Sequence, residues 1–350
     1  MDWVPHEVPE ELLRGRVAQV AAACQTNGVG ALVLYSSFTR PAQVCALTQF
    51  VPFWSQAMLV VTAEGRTMLT MATTGRTVQW INSTSCVDEV LVGPDIGATA
   101  SKWLASQTQA SAIAVAGMAD VPHTALNSLR HSLPNTELRE ANAWYAPLEA
   151  GFTPAPLVAE RVLQIARAGL SLVTSVNFQG AHDIVAAIDG HCRSNGAEEV
   201  AVLLAPDLSR SSLLHRLEGD TSLGECFAVQ VSLAYKGCWL RIGSSYRRGA
   251  AAVAELPECE LARTEVQRGL IGALSGDLAT RAASAAKANL EDWSLEARCG
   301  GLPLATIACA GPTAAKSVPA FSILSLQLHT GHVSFVLTEP VAFSSTAKDF

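Results

Sequence analysis

The chain has 350 residues, of which 49% are hydrophobic and 16% charged, and a formal net charge of −7. Its size and apolar content support a large core and two domains. The longest basic cluster is Arg247-Arg248 beside Tyr246, so nucleic-acid binding has no support, and no apolar run reaches the roughly 18 residues of a membrane span.

The first half reads as alternating helices and strands. Pro9-Glu10-Glu11 opens a helix to about Thr26, ended by Asn27-Gly28. Gly30 to Tyr35 is a buried strand, and Ser36 to Phe50 is a loop with a short helix around Arg40-Pro41. Met58 to Thr62 and Thr67 to Met71 flank a hairpin turn at Glu64-Gly65. Val87 to Val92 and Ser111 to Ala116 read as strands, Ile96 to Ser106 and His123 to Ser132 as helices, and Leu138 to Trp144 as a short closing strand. Ala146 to Pro156 carries Pro and Gly and little charge, which predicts a linker.

The second half opens on a helix over Leu157 to Val173, with Val158, Val162, Ile165 and Ala166 on its apolar face. A second helix, Ala181 to Asn195, ends at Gly196, and a strand follows over Val200 to Leu204. Ser209 to Leu214 leads to His215. Leu261 to Leu274 and Asp277 to Leu290 read as amphipathic helices, Arg298 to Gly301 as a Gly-rich loop, and Ile323 to Leu328 with His332 to Thr338 as a final strand pair.

Nine cysteines are scattered without a CxxC pair, several of them inside apolar runs, which predicts reduced, buried thiols. The N-terminus, MDWVPHEVPEELL, is acidic and lacks a signal-peptide core. Together these features predict a cytoplasmic protein. No Gly-rich phosphate loop after a strand, GxSxG or HExxH occurs.

One stretch carries more. Ser222 to Arg248 reads SLGECFAVQVSLAYKGCWLRIGSSYRR, with apolar runs Cys226 to Leu233 and Cys238 to Ile242 around a turn at Tyr235-Lys236-Gly237. This hairpin resembles that of the creatinase, aminopeptidase P and methionine aminopeptidase family, the pita-bread fold. The pattern there is Gly-Asp, a hydrophobic strand, Asp-x-Gly, Tyr, Gly-Tyr and Asp-x-x-Arg. Gly224-Glu225 fits its start, and Tyr235 and Gly237 fit its turn. The order of elements resembles the family over nearly the whole chain. The fold the resemblance implies is α/β (α+β), with a small creatinase-like α/β domain over 1–150 and a pita-bread domain over 151–350.

The resemblance also implies what is missing. Family hydrolases hold two divalent metals with two Asp, one His and two Glu. The Asp positions fall on Gln230 and Arg241. The His falls near Cys299, with Arg298 as the other register. One Glu falls on Gln327 and the last on His332 or Ser334. No carboxylate stands at these positions, and Arg241 would repel a cation. The expectation is no metal and no other cofactor.

Creatinase shares the fold and works without metal, through a His upstream of the hairpin. His215 matches it and is the candidate acid/base, against a reading as a surface histidine at a loop end. The resemblance to creatinase fails at its substrate-holding carboxylates, where Ile242 and Gly243 stand, so a guanidinium substrate is not implied. Arg241 suggests an anion anchor, or else a salt bridge to a nearby Asp or Glu. Gln230 and Gln327 are neutral hydrogen-bonders or solvent-facing strand positions. Cys299 is a nucleophile or a structural thiol. His332, with His329, sits at a tight turn. Arg40 is a loop residue of the kind that reaches a partner's site in creatinase-like dimers. Trp54, Trp239 and Trp293 read as core or pocket wall.

The functional expectation is a metal-independent enzyme on a small polar, anionic substrate. It would hydrolyse or eliminate across a C–N bond, or close or rearrange a ring. His215, Arg241 and Gln230 would act, with Gln327, His332, Cys299, Tyr235 and Arg40 binding substrate. The alternative is a non-catalytic relative that binds a small molecule, peptide or partner protein. The family implies a homodimer.

Overall fold

The computed structural model describes residues 3–38, 40–175, 178, 180–217, 219, 221–249, 252–269, 275–297, 305–310, 322–331 and 333–341. The chain divides into two compact units between Ala155 and Pro156.

The first unit runs α1 (Glu10–Thr26), β1 (Ala31–Ser37), α2 (Ala42–Thr48), β2 (Gln56–Thr62), β3 (Thr67–Met71), α3 (Val78–Thr84), β4 (Glu89–Val92), α4 (Ile96–Gln107), β5 (Ala112–Ala116), α5 (His123–Ser132), β6 (Glu137–Glu140) and α6 (Asn142–Ala150). Its sheet is six-stranded, ordered β4-β3-β2-β1-β5-β6. β1 pairs antiparallel with β2 and parallel with β5. Both faces are covered, which is why these strands read as unbroken apolar runs. Leu32, Leu34, Leu59 and Val61 point into one core, while Val33, Val60, Ile113 and Val115 point into the other.

The structure differs from the sequence reading at the end of this unit. The strand expected over Leu138 to Trp144 stops at Glu140, and α6 runs into the first part of the expected linker, as far as Ala150. Tyr145, wholly buried, belongs to the first of those cores, with Trp144 and Leu148 packed against it. That burial outweighs the helix-breaking tendency of Pro147 inside α6.

The second unit runs α7 (Pro156–Ser175), α8 (Ala181–Ser194), β7 (Glu199–Ala205), β8 (Cys226–Tyr235), β9 (Cys238–Arg248), β10 (Val253–Glu255), α9 (Pro257–Gln267), α10 (Ser275–Ala285), β11 (Asn289–Ala297), β12 (Ala305–Ala310), β13 (Ser322–Thr330) and β14 (Val333–Val341). An eight-stranded sheet is ordered β12-β11-β13-β14-β9-β8-β7, with β10 paired to β9 off this path. The β8–β9 turn places Lys236 at φ 49° and Gly237 at φ 73°. Two successive positive φ values are those of a type I′ turn, whose twist matches that of the flanking strands.

Two elements depart from expectation here. The hairpin strands run on to Tyr235 and Arg248, because the SSYRR segment of β9 keeps pairing with the start of β8. The helix expected over Asp277 to Leu290 ends at Ala285, just before Lys287 at φ 53°, and β11 begins at Asn289. Trp293 and Leu295 alternate along β11 and pack with Leu278, Ala279 and Ala282 of α10. One face of the sheet is therefore apolar and helix-covered, with Leu324, Leu326 and Leu337 beside Cys259, Ala262 and Val266 of α9. Among the described residues no helix is long and apolar enough to cross a membrane.

Candidate functional site

The opposite face of the second sheet is polar. Residues directly paired across strands share a face. Ser294 pairs with Ser325, Ser325 with Thr338, Thr338 with Gly243, and Gly243 with Gln230, so one row crosses five strands from β11 to β8. Ser232 pairs with Arg241 in the next same-face row. Gln230, Ser232, Glu296 and Thr338 are all buried.

These groups satisfy one another. Gln230 Nε2 donates to Thr338 Oγ1 at 2.8 Å, and Thr338 Oγ1 lies 3.2 Å from Ser325 Oγ. Arg241 Nε donates to Ser232 Oγ at 2.8 Å, and its Nη1 reaches Glu296 Oε1 at 2.7 Å. β9 and β11 are separated by β14 and β13. In a flat sheet three strand spacings amount to roughly 14 Å. Two side chains standing up from such a sheet would not touch, so the sheet curls around its polar face.

Gly243 lies at the centre of the row because nothing larger fits. A Cβ there would stand 2.9 Å from Val229 O and 3.0 Å from Gln230 Cβ. Behind the row, on the helix side, Glu339 is buried and accepts from Arg167 of α7 and from Arg263 and Gln267 of α9. Arg263 also holds Glu255 and Ser244. Burial alone would lower the Arg263 guanidinium, but its hydrogen bonds to Glu255 and the charges of Glu255 and Glu339 raise it. This ion network fixes β14 one residue from Thr338.

The structure brings together only part of the predicted site. Gln230 and Arg241 share the polar face. Arg241 is committed to Glu296, which removes it as a free anion anchor and fulfils the salt-bridge alternative. Gln327 is on the same side, donating to Ser212 Oγ in the segment before His215. His215 is not with them. It pairs with Leu204 through two 3.0 Å backbone bonds, and Leu204 pairs with Val229, on the face opposite Gln230. Its ring is exposed, with Nδ1 3.1 Å from Leu213 O. The upstream loop thus presents Ser212, not His215, to the polar face.

Tyr235 sits at the hairpin tip, where its ring lies against Gly196 at the end of α8. Arg40 is exposed in the first unit and ion-paired with Asp120. Ser334 is opposite His329, four residues from Thr338 along β14, so the residue that completes the row is Thr338. Cys299, Arg298 and His332 lie outside the described residues. Trp293 is core as expected, but Trp54 is 69% exposed and stacks on Trp80 at 5.5 Å. Seven described cysteines are buried and unbridged.

No family model matches the sequence, and no curated protein matches it. Solved structures do. A prolidase from Pyrococcus horikoshii OT3 superposes with a TM-score of 0.67 at 11% identity, covering 96% of this chain and 99% of that one. The chain has the pita-bread fold. An X-Pro aminopeptidase from Thermotoga maritima MSB8 gives 0.65 at 13% identity, covering 93% of each chain. The dipeptidase PepE from Mycobacterium ulcerans gives 0.58 at 16%, covering 96% of this chain and 95% of that one. At these identities the likeness is one of fold, shared with enzymes named as peptidases.

A pair of divalent metals, which the pita-bread hydrolases hold, does not fit the described donors. Hard cations take carboxylates and carbonyl oxygens. Gln230 turns its amide N–H to Thr338, Arg241 brings a positive charge, and Glu296 binds that charge. Among the described residues no three His, Cys, Asp or Glu side chains gather.

Proposed function

We propose that this chain is a metal-free, non-hydrolytic relative of the pita-bread peptidases that holds a small polar molecule on the polar face of its second sheet. The observation that carries this reading is the pairing at the two positions where the resemblance places metal aspartates. Gln230 is engaged by Thr338 and Arg241 by Glu296. Ser294 and Ser325, at one end of the polar row, are half-buried and offer hydroxyl groups that a small hydrogen-bonding ligand can reach.

A second reading, metal-free acid/base catalysis of hydrolysis or elimination, is favoured by one observation. Glu296 is a buried carboxylate on that face, next to a cation and the Ser232 hydroxyl. In this reading Glu296, not His215, handles the proton.

The two separate in one assay series. Purified protein is incubated with Gly-Pro, Ala-Pro and creatine, each with and without manganese, and products are followed by mass spectrometry. The proposal predicts no turnover in any condition. Metal-independent turnover lost in Glu296→Gln but kept in His215→Ala would establish the second reading. Manganese-dependent cleavage of Gly-Pro would overturn both.

A further inference from the structure

On the helix side of the second sheet, away from its polar face, lies a pocket of about 350 Å³ between α7, β9, β10 and α9. Leu170 and Ile242, both buried, form its apolar floor. Its walls carry four charged groups, two of each sign, which meet in the order Arg167, Glu339, Arg263, Glu255. Arg167 Nη2 lies 3.0 Å from Glu339 Oε1, Arg263 Nε 3.3 Å from Glu339 Oε2, and Arg263 Nη1 2.9 Å from Glu255 Oε2. The charges sum to zero, but they are not evenly balanced along the row. Glu339 and Arg263 each stand between two opposite charges, whereas Arg167 and Glu255 have one opposite neighbour each. The row therefore presents a positive end at Arg167 and a negative end at Glu255.

A second observation points to a ligand. Tyr246 lines the pocket, is 3% exposed and stands beside Glu255 in the β9–β10 pairing. Its ring stacks on Phe227, and its hydroxyl makes no hydrogen bond among the described residues. Burial and the charge of Glu255 push the phenol up, so it keeps its proton and is a donor. A buried donor of this kind costs stability unless something accepts from it. Arg167 also has donors to spare, since its side chain is half-exposed and one of its five N–H groups goes to Glu339.

An anion alone would meet Glu255 and Glu339 as well as the arginines, and a cation alone would meet the arginines as well as the glutamates. A molecule with one charge of each sign meets its opposite at both ends of the row. We infer that this pocket binds a small zwitterion with an apolar side chain, a free α-amino acid in size and charge. Its carboxylate lies toward Arg167 and accepts from the Tyr246 hydroxyl, its ammonium lies toward Glu255, and its side chain rests on Leu170 and Ile242. This inference does not rest on the reading of the polar face.

The test titrates the full chain by calorimetry at about pH 6.5 with L-leucine, L-leucinamide and N-acetyl-L-leucine, a zwitterion, a cation and an anion of one shape. Leucine is expected to bind saturably below about 10 mM, and each singly charged probe on the order of tenfold more weakly. Tyr246→Phe keeps the ring on Phe227 and removes only the hydroxyl; it is expected to weaken leucine on the order of tenfold. Arg167→Gln leaves Glu339 with Arg263 and Gln267. It is expected to abolish the preference for leucine over leucinamide and to keep the preference over N-acetyl-leucine. No saturable binding of leucine overturns the inference, as does an affinity for either singly charged probe equal to that for leucine. Leucine binding that is unchanged in either variant overturns it equally, because the ligand would then lie elsewhere.

Discussion

Glu149 on α6 offers a quantitative test of the first unit's packing. The residue is only 2% exposed, and Oε1 has no hydrogen-bond partner. Burial raises its carboxyl from an ordinary 4.5 to about 7, against a hydrogen bond from Gln43 that lowers it. That difference corresponds to about 3 kcal/mol between protonation states. The folded unit keeps the proton where the unfolded chain has released it. The stabilising contribution is therefore fully present below pH 4.5 and is lost as pH rises to about 7. Glu149→Gln keeps the shape and removes the titration. It is predicted to be more stable than the parent by roughly 2–3 kcal/mol at pH 8 and about equal to it at pH 4.5. For a unit of this size that is a gain of roughly 4–12 °C in Tm. Paired calorimetric scans between pH 4.5 and 8 measure it. Other titrating groups are common to both proteins, so the difference between the two curves is the quantity of interest. Parallel curves would refute the argument.

Three further outcomes follow from the second unit and the thiols. Arg241→Met should cost about 3 kcal/mol by removing the cation that lies 2.7 Å from buried Glu296, whereas Arg241→Met with Glu296→Leu should fall within about 1 kcal/mol of the parent; urea denaturation of the four proteins of that cycle checks it. Gly243→Ala should lose about 1–3 kcal/mol because its Cβ meets the backbone of β8, again read by urea denaturation. Burial pushes the Cys24 thiol up to about 12 and those of Cys192 and Cys259 to about 11, so these three should not react with a disulfide reagent at pH 8 until the chain is unfolded; peptide mapping after labelling tests it.

The hairpin was legible in the sequence because its information is local. Two apolar runs and a Lys-Gly turn specify β8 and β9 within a few residues, and Tyr235 and Gly237 fix the register. The resemblance to the pita-bread fold rests on that register and on the order of elements. The partners of Gln230 and Arg241 were not legible, because Thr338 and Glu296 are 108 and 55 residues away in the chain. Only the strand order of the curled sheet brings them together. Glu296 had a signal that was available: Trp293 and Leu295 alternate with Ser294 and Glu296, a period of two that marks a strand with one polar face. Reading Leu290 as the end of a helix concealed it. His215 illustrates the opposite case. It stands close to the hairpin in sequence, yet the parity of its pairing with Leu204 turns its side chain to the face opposite Gln230. Trp54 shows that a large aromatic residue does not by itself imply burial, since stacking on Trp80 orders it at the surface.

The central claim is that side-chain pairs within the chain, Gln230 with Thr338 and Arg241 with Glu296, stand where this fold's metal site would be. Its most direct test is metal content. The purified chain is incubated with 1 mM manganese, cobalt or zinc, desalted and measured by elemental analysis, with Tm recorded before and after. The account predicts no stoichiometric metal and an unchanged Tm. Retention of about one to two equivalents per chain with a raised Tm would contradict it and return Gln230 and Arg241 to the status of neighbours of a working metal centre.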